Sequence, residues 1–139
     1  MMPAIDCKLR YGDLVGLPFQ SEGKGNPGWD CYNLCLEISK RGGRKDLPSL
    51  VSLAADRYLD KIHAISAYKH LLEFVEGAPQ VLDWVGMCDV TKLPGVIQHI
   101  GIIISPGKLI HVPEGEWVKV ERLDNPRIAV SIVEIRRWK

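Results

Sequence analysis

The spacing of apolar positions changes character once along the chain. In the first half it follows helical intervals. After Asp30, residues Leu34, Cys35 and Ile38 fall at i, i+1 and i+4, so WDCYNLCLEISKR predicts a helix with Asp30 as its N-cap. Lys40 and Arg41 occupy the last turn, where cations suit the helix dipole, and Gly42-Gly43 stops it. Pro48 closes the next linker. Over residues 50–76, Leu53, Ala54, Ile62, Ile65, Leu72 and Val75 again recur at helical spacing, and Gly77 and Pro79 end the segment. A helical insert is therefore expected over about 50–79. From Val81 onward Val and Ile dominate, and VIQHIGIIIS, KLIHV, EWVKVERL and VSIVEIRRW read as strands. SPGK at 105–108 reads as a tight hairpin turn. IGIII does not alternate, which predicts a central strand covered on both faces, whereas WVKVERL alternates and predicts one wet face. Helices first and strands later make an α+β domain, with N-terminal helices packed on a C-terminal antiparallel sheet.

Composition narrows the function classes. A chain of 139 residues with 46% hydrophobic and 25% charged residues fits one globular domain, 1–139. Its net charge of +1 argues against a nucleic-acid partner held by phosphate contacts. No basic start leads into an apolar run, so no secretory signal is expected, and no stretch is long enough to span a membrane. The expectation is synthesis in the cytoplasm, with delivery by another agent if the protein acts outside the cell. The four cysteines are Cys7, Cys31, Cys35 and Cys88, and reduced thiols are expected in an ordinary chain of this length. Cys31 and Cys35 share a helix face, but their spacing is not the CxxC of zinc sites, so no metal and no other cofactor is expected.

Position separates the chemistry-bearing residues. Cys31 falls in the first turn of the predicted helix, where the dipole favours a thiolate. It follows QSEGKGNPG, a Gly-rich loop that leaves room for a substrate. His99 begins one apolar strand and His111 ends the next. A cysteine at a helix start facing a histidine on a sheet, with a third polar group orienting the imidazole, is the logic of a Cys-His catalytic triad. Cys35 is expected in the core, His63 and His70 on a solvent-facing helix surface, and Cys7 and Cys88 without a role. Trp29, beside Cys31, is the tryptophan placed to line a site.

These residues resemble a known family. YGDLVGLPFQSEGKGNPGWDCYNLCLEISKRGG is similar to the nucleophile region of NlpC-type cell-wall cysteine peptidases, particularly the short phage-associated members. QHIGIIISPGKLIHV is similar to that family's second block, in which a His strand, a turn and a second His follow one another; here the two histidines are twelve positions apart. VERLDNP resembles the closing strands. The resemblance implies a papain-like fold and hydrolysis of peptidoglycan stem peptides, at a bond between D-glutamate and a diamino acid. It implies Cys31 as nucleophile, His99 as base and His111 as the residue orienting His99. Asp30 would bind the free amine of a stem peptide, with Trp29 and Tyr32 beside it. Phage tail proteins would be partners of a virion-borne member. Two departures affect substrate contacts: Tyr32-Asn33 stands where many members have Ser-Gly, and Pro18-Phe19 where many have Pro-Tyr, so Phe19 supplies no hydroxyl.

Strand geometry sets a further condition. In an ideal two-residue hairpin centred on Pro106-Gly107, Ser105 pairs with Lys108 and His111 falls opposite Ile102. That is three positions from His99, on the opposite face and roughly 10 Å away. A working His pair therefore requires a bulge or bend between them. Two rival classes remain open. One is a non-catalytic tail-tip or wall-binding module with the same fold. The other is an acyl-transferring relative, which the order of Cys31 before His99 disfavours.

Overall fold

The computed structural model describes residues 9–21, 23–25, 27–44 and 71–139. Helix α1 (Cys31–Arg41) is followed by strands β1 (Leu72–Phe74), β2 (Trp84–Met87), β3 (His99–Ser105), β4 (Lys108–His111) and β5 (Lys119–Arg122), the one-turn helix α2 (Pro126–Ala129) and strand β6 (Ile132–Trp138). The six strands form one antiparallel sheet in the order β1-β6-β2-β3-β4-β5. One helix on such a sheet is an α+β arrangement.

Helix α1 forms for the reasons its sequence predicts. Asp30 is extended, and its side chain accepts from the Asn33 backbone N–H at 2.7 Å. Gly42 caps the other end, and Gly43 takes a positive φ of 103°, which a side chain would resist. The buried face carries Leu34, Cys35, Ile38 and Ser39. The expected helical insert is corrected at its C-terminal end: Leu72–Phe74 is the edge strand β1, paired with β6. Residues 50–70 of the expected insert, with His63 and His70, lie outside the described residues, as does Cys7.

The apolar β3 strand lies inside the sheet and is covered on both faces. Ile100, Ile102 and Ile104 join the cluster that contains Leu34, Cys35 and Ile38 of α1. Ile103 joins Val85, Leu109 and Ile128, the last from α2. This double burial explains why IGIII lacks alternation.

One polar atom ties the helix to two strands. Ser39 Oγ, fully buried, accepts from Trp84 Nε1 and from Trp138 Nε1, each at 3.1 Å. The two indoles meet edge to face with ring centres 5.4 Å apart. Ser39→Ala is expected to strand both indole N–H groups and cost about 2–3 kcal/mol. Urea unfolding would register a lower midpoint at unchanged slope.

Candidate active site

The loop before α1 is built by close backbone approach. Trp29 N–H donates to the Pro18 carbonyl at 3.1 Å, Gln20 N–H to Trp29 at 2.9 Å, and Asp30 N–H to Gly23 at 3.1 Å. A Cβ at Gly28 would overlap the Pro18 carbonyl oxygen, so this crossing demands glycine. The loop thereby delivers Asp30 and Cys31 at a fixed helix start. Cys31, which forms no disulfide, is a partly buried thiol packed against the core cluster under α1. Cys35, one turn on, is fully buried; burial pushes its thiol well up, with smaller contributions from Cys31 and Asp30. Cys35 is thus an inert core residue, and of these two cysteines only Cys31 reaches the surface.

The residues flanking Cys31 have definite structural employment. Asp30 accepts from Asn33 twice, at the backbone N–H (2.7 Å) and at Nδ2 (3.0 Å), so its carboxylate is held in place by the helix it caps. Tyr32 is 5% exposed and packs edge-on against Trp84, with ring centres 5.7 Å apart. Trp29 is 7% exposed and lines a cleft of about 170 Å³ with Lys24, Asn33, Leu36, Glu37 and Lys40.

The two histidines meet because the hairpin is irregular. Ser105 pairs with Lys108, as an ideal turn dictates, but Ile103 pairs with Leu109 and Ile102 with Ile110. Ile104 is therefore an extra residue, a bulge in β3. The bulge moves His111 from the level of Ile102 to that of Gly101, and so onto the face that carries His99. Gly101 completes the fit: a Cβ there would lie 3.2 Å from His111 Cβ and 3.1 Å from Leu109 Cδ1, tighter than ordinary contact. The result is a distance of 2.8 Å between His99 Nε2 and His111 Nδ1, with ring centres 5.0 Å apart.

Behind His111 stand two residues that sequence reasoning missed. His111 Nε2 lies 2.7 Å from Glu121 Oε2, and Arg127 Nη2 donates to Glu121 Oε1 at 2.9 Å. His111 and Glu121 have side-chain exposures of only 4% and 10%. The signal for Glu121 was its place on the polar side of the alternating WVKVERL, which reads as solvent-facing.

Burial lowers the pKa of His111 below its ordinary 6.5, against the upward pull of Glu121. Lys119 acts downward and Glu116 upward on the same ring, and His99 faces its other nitrogen. The sign of the pH effect follows. Below about 6.5 the unfolded chain takes up a proton that folded His111 refuses, so this group's contribution to stability falls as pH drops from 6.5 toward the lower folded value. Urea midpoints should fall between pH 7.5 and 5.5, and fall less steeply in His111→Gln.

No family model and no curated protein sequence matches the chain. Solved structures do. A NlpC/P60 family protein from Bacillus cereus aligns over 99% of this chain and 41% of its own, with a TM-score of 0.67 and 20% identity. The fold is that of the NlpC/P60 proteins. NlpC2 of Trichomonas vaginalis aligns over 91% of this chain and 43% of its own, with a TM-score of 0.63 and 16% identity. The NlpC/p60 domain of the peptidoglycan hydrolase SagA matches nearly end to end, over 96% of this chain and 95% of that domain, with a TM-score of 0.56 and 19% identity. The chain thus spans about two-fifths of the Bacillus and Trichomonas proteins and nearly all of an isolated NlpC/p60 domain. Among the described residues no group of three or more His, Cys, Asp or Glu could hold a metal ion, and no helix is long and apolar enough to cross a membrane.

Proposed function

We propose that this domain is a cysteine peptidase that hydrolyses amide bonds in peptidoglycan stem peptides, at the D-glutamyl-diamino acid linkage. The reading rests chiefly on the 2.8 Å His99–His111 contact, created by a bulge, in a fold shared with a peptidoglycan hydrolase domain. In this reading the Cys31 thiolate attacks the carbonyl and His99 protonates the leaving amine. Water then cleaves the thioester with His99 as base. Backbone N–H groups at the start of α1 hold the tetrahedral oxyanion. Helix α1 covers the face of β3 that carries Ile100 and Ile102; the reading requires thiol and imidazole to meet around the end of the sheet.

Asp30 binds the free amine of the stem peptide, and Trp29 and Tyr32 support that subsite. The proposal includes use by a phage, with tail proteins as partners and the virion as the route to the wall. No organic cofactor enters the reaction.

Incubation of purified peptidoglycan with the wild-type chain should release new amino groups and fragments whose masses report a cut after D-glutamate. A chain that binds peptidoglycan and releases no amino groups would instead be a wall-binding module of the same fold. Cleavage of a lipid ester with stem peptides left intact would make it an acyl-transferring relative.

A further inference from the structure

The contacts behind His111 form a directed chain that ends on the exposed guanidinium of Arg127. A carboxylate oxygen accepts hydrogen bonds, so Glu121 Oε2 requires the proton of His111 to sit on Nε2. Neutral His111 then presents a bare Nδ1 to His99, and the contact at 2.8 Å requires His99 to carry its proton on Nε2. The remaining nitrogen of His99, Nδ1, is left as the basic one. Each ring has two nitrogens and the geometry uses both of them on His111, so the choice at one end dictates the choice at the other.

We propose that Glu121, anchored by Arg127, is a positioning residue that sets the tautomers of both imidazoles and so makes Nδ1 of His99 the proton acceptor. This rests on the proposed reading of Cys31 and His99 as a nucleophile-base pair. The proton balance is simple. When the S–H bond of Cys31 breaks, an N–H bond forms at His99 Nδ1. His99 then holds protons on both nitrogens and donates from Nε2 to the bare Nδ1 of His111. No proton leaves His111 or reaches Glu121.

Arg127 matters because it removes an ambiguity. Its Nη2 donates to Glu121 Oε1, so a glutamine in this position would turn its only acceptor oxygen toward Arg127. The NH₂ group would then face His111 Nε2 and demand an acceptor there. Glu121→Gln thus reverses the whole chain: the proton of His111 moves to Nδ1, and that of His99 to the nitrogen that should be free. Arg127 is 70% exposed at its side chain, so removing it alone disturbs little buried structure.

The test has two readouts. In the ¹⁵N-labelled full chain at pH 7.5, long-range ¹H–¹⁵N spectra report which ring nitrogen of each of the four histidines is protonated, with His111→Gln assigning the signal. The expected wild-type result is a protonated Nε2 and bare Nδ1 on His111, reversed in Glu121→Gln. A wild-type proton on Nδ1 of His111, or an unchanged pattern in Glu121→Gln, overturns the proposal. In hydrolysis assays, Glu121→Gln should lower kcat/KM by roughly 10²–10⁴-fold, as a wrong tautomer does in other triads. Arg127→Ala alone should stay within about fivefold of wild type, because both oxygens of Glu121 are acceptors and His111 Nε2 still donates to one of them. Glu121→Gln combined with Arg127→Ala should recover part of the loss, because the amide is free to turn its oxygen to His111. A double variant no better than Glu121→Gln overturns the anchoring role of Arg127. Should the wild-type chain hydrolyse no amide at all, the reading as a peptidase fails, while the spectra still decide the tautomers.

Discussion

Cys31→Ala is expected to abolish the release of amino groups from peptidoglycan, a loss of roughly 10⁴–10⁶-fold in kcat, the range seen when a covalent nucleophile is removed. The thiol is the atom that would form the thioester, and among the described residues no neighbouring group stands ready to replace it. Cys35 is fully buried with its thiol held protonated by burial. The substitution should leave the fold alone: Cys31 is partly buried at the helix start and forms no disulfide, and the helix cap resides in Asp30. Circular dichroism and urea unfolding check the second half of the prediction, with a stability change expected within about 1 kcal/mol. Iodoacetamide at pH 7 should label Cys31 in the wild-type chain ahead of Cys35. Amide hydrolysis retained in Cys31→Ala would remove this residue from the mechanism.

His99→Ala is expected to lower kcat/KM by roughly 10²–10⁴-fold, the usual contribution of a general acid-base group. Its loss removes both the acceptor of the thiol proton and the donor to the leaving amine. Residues that act as one unit lose their effect together, so the double variant with Cys31→Ala should be no less active than Cys31→Ala alone. A thiol without its imidazole also labels more slowly with iodoacetamide at pH 7. A His99→Ala chain with wild-type turnover would contradict the proposed pair. The same variant leaves His111 and Glu121 in contact, so His111 should keep its proton on Nε2, readable in its ring spectra.

The legible parts of this fold carry local instructions. Asp30, Leu34, Cys35, Ile38 and Gly42-Gly43 specify α1 within fourteen consecutive residues, and the helix forms where they place it. The hairpin was legible too, including its fault: parity arithmetic from Pro106-Gly107 demands an irregularity, and Ile104 supplies it. Strands β1 and β2 were not legible. Leu72–Phe74 has three residues, and their spacing continues a helical pattern; only pairing with β6 makes them a strand. Trp84–Met87 has four residues, one of them glycine, and owes its conformation to β3 and β6 on either side. Such strands are written in their neighbours more than in themselves.

Glu121 was hidden for a different reason. In WVKVERL the alternation places Lys119 and Glu121 on the polar side, and a charged residue there reads as wet. Its burial depends on two partners far apart in the pattern, His111 on β4 and Arg127 on α2, which satisfy its two oxygens. A buried carboxylate needs such partners, and neither is predictable from the strand that holds it. The near-neutral charge of the chain acquires a narrower meaning beside this site. If the proposed reading holds, a domain with a net charge of +1 does not hold an anionic wall by bulk attraction.

The central claim is a covalent one, that Cys31 carries the acyl half of a stem peptide during turnover. Acid-quenching the wild-type chain within a turnover on a stem peptide, then weighing the proteolytic fragment that contains Cys31, tests it most directly. The expected result is a thioester adduct on Cys31 whose mass equals that of the D-glutamyl portion, absent in Cys31→Ala. Amide cleavage with that fragment unmodified at every quench time, and undiminished in Cys31→Ala, would contradict it.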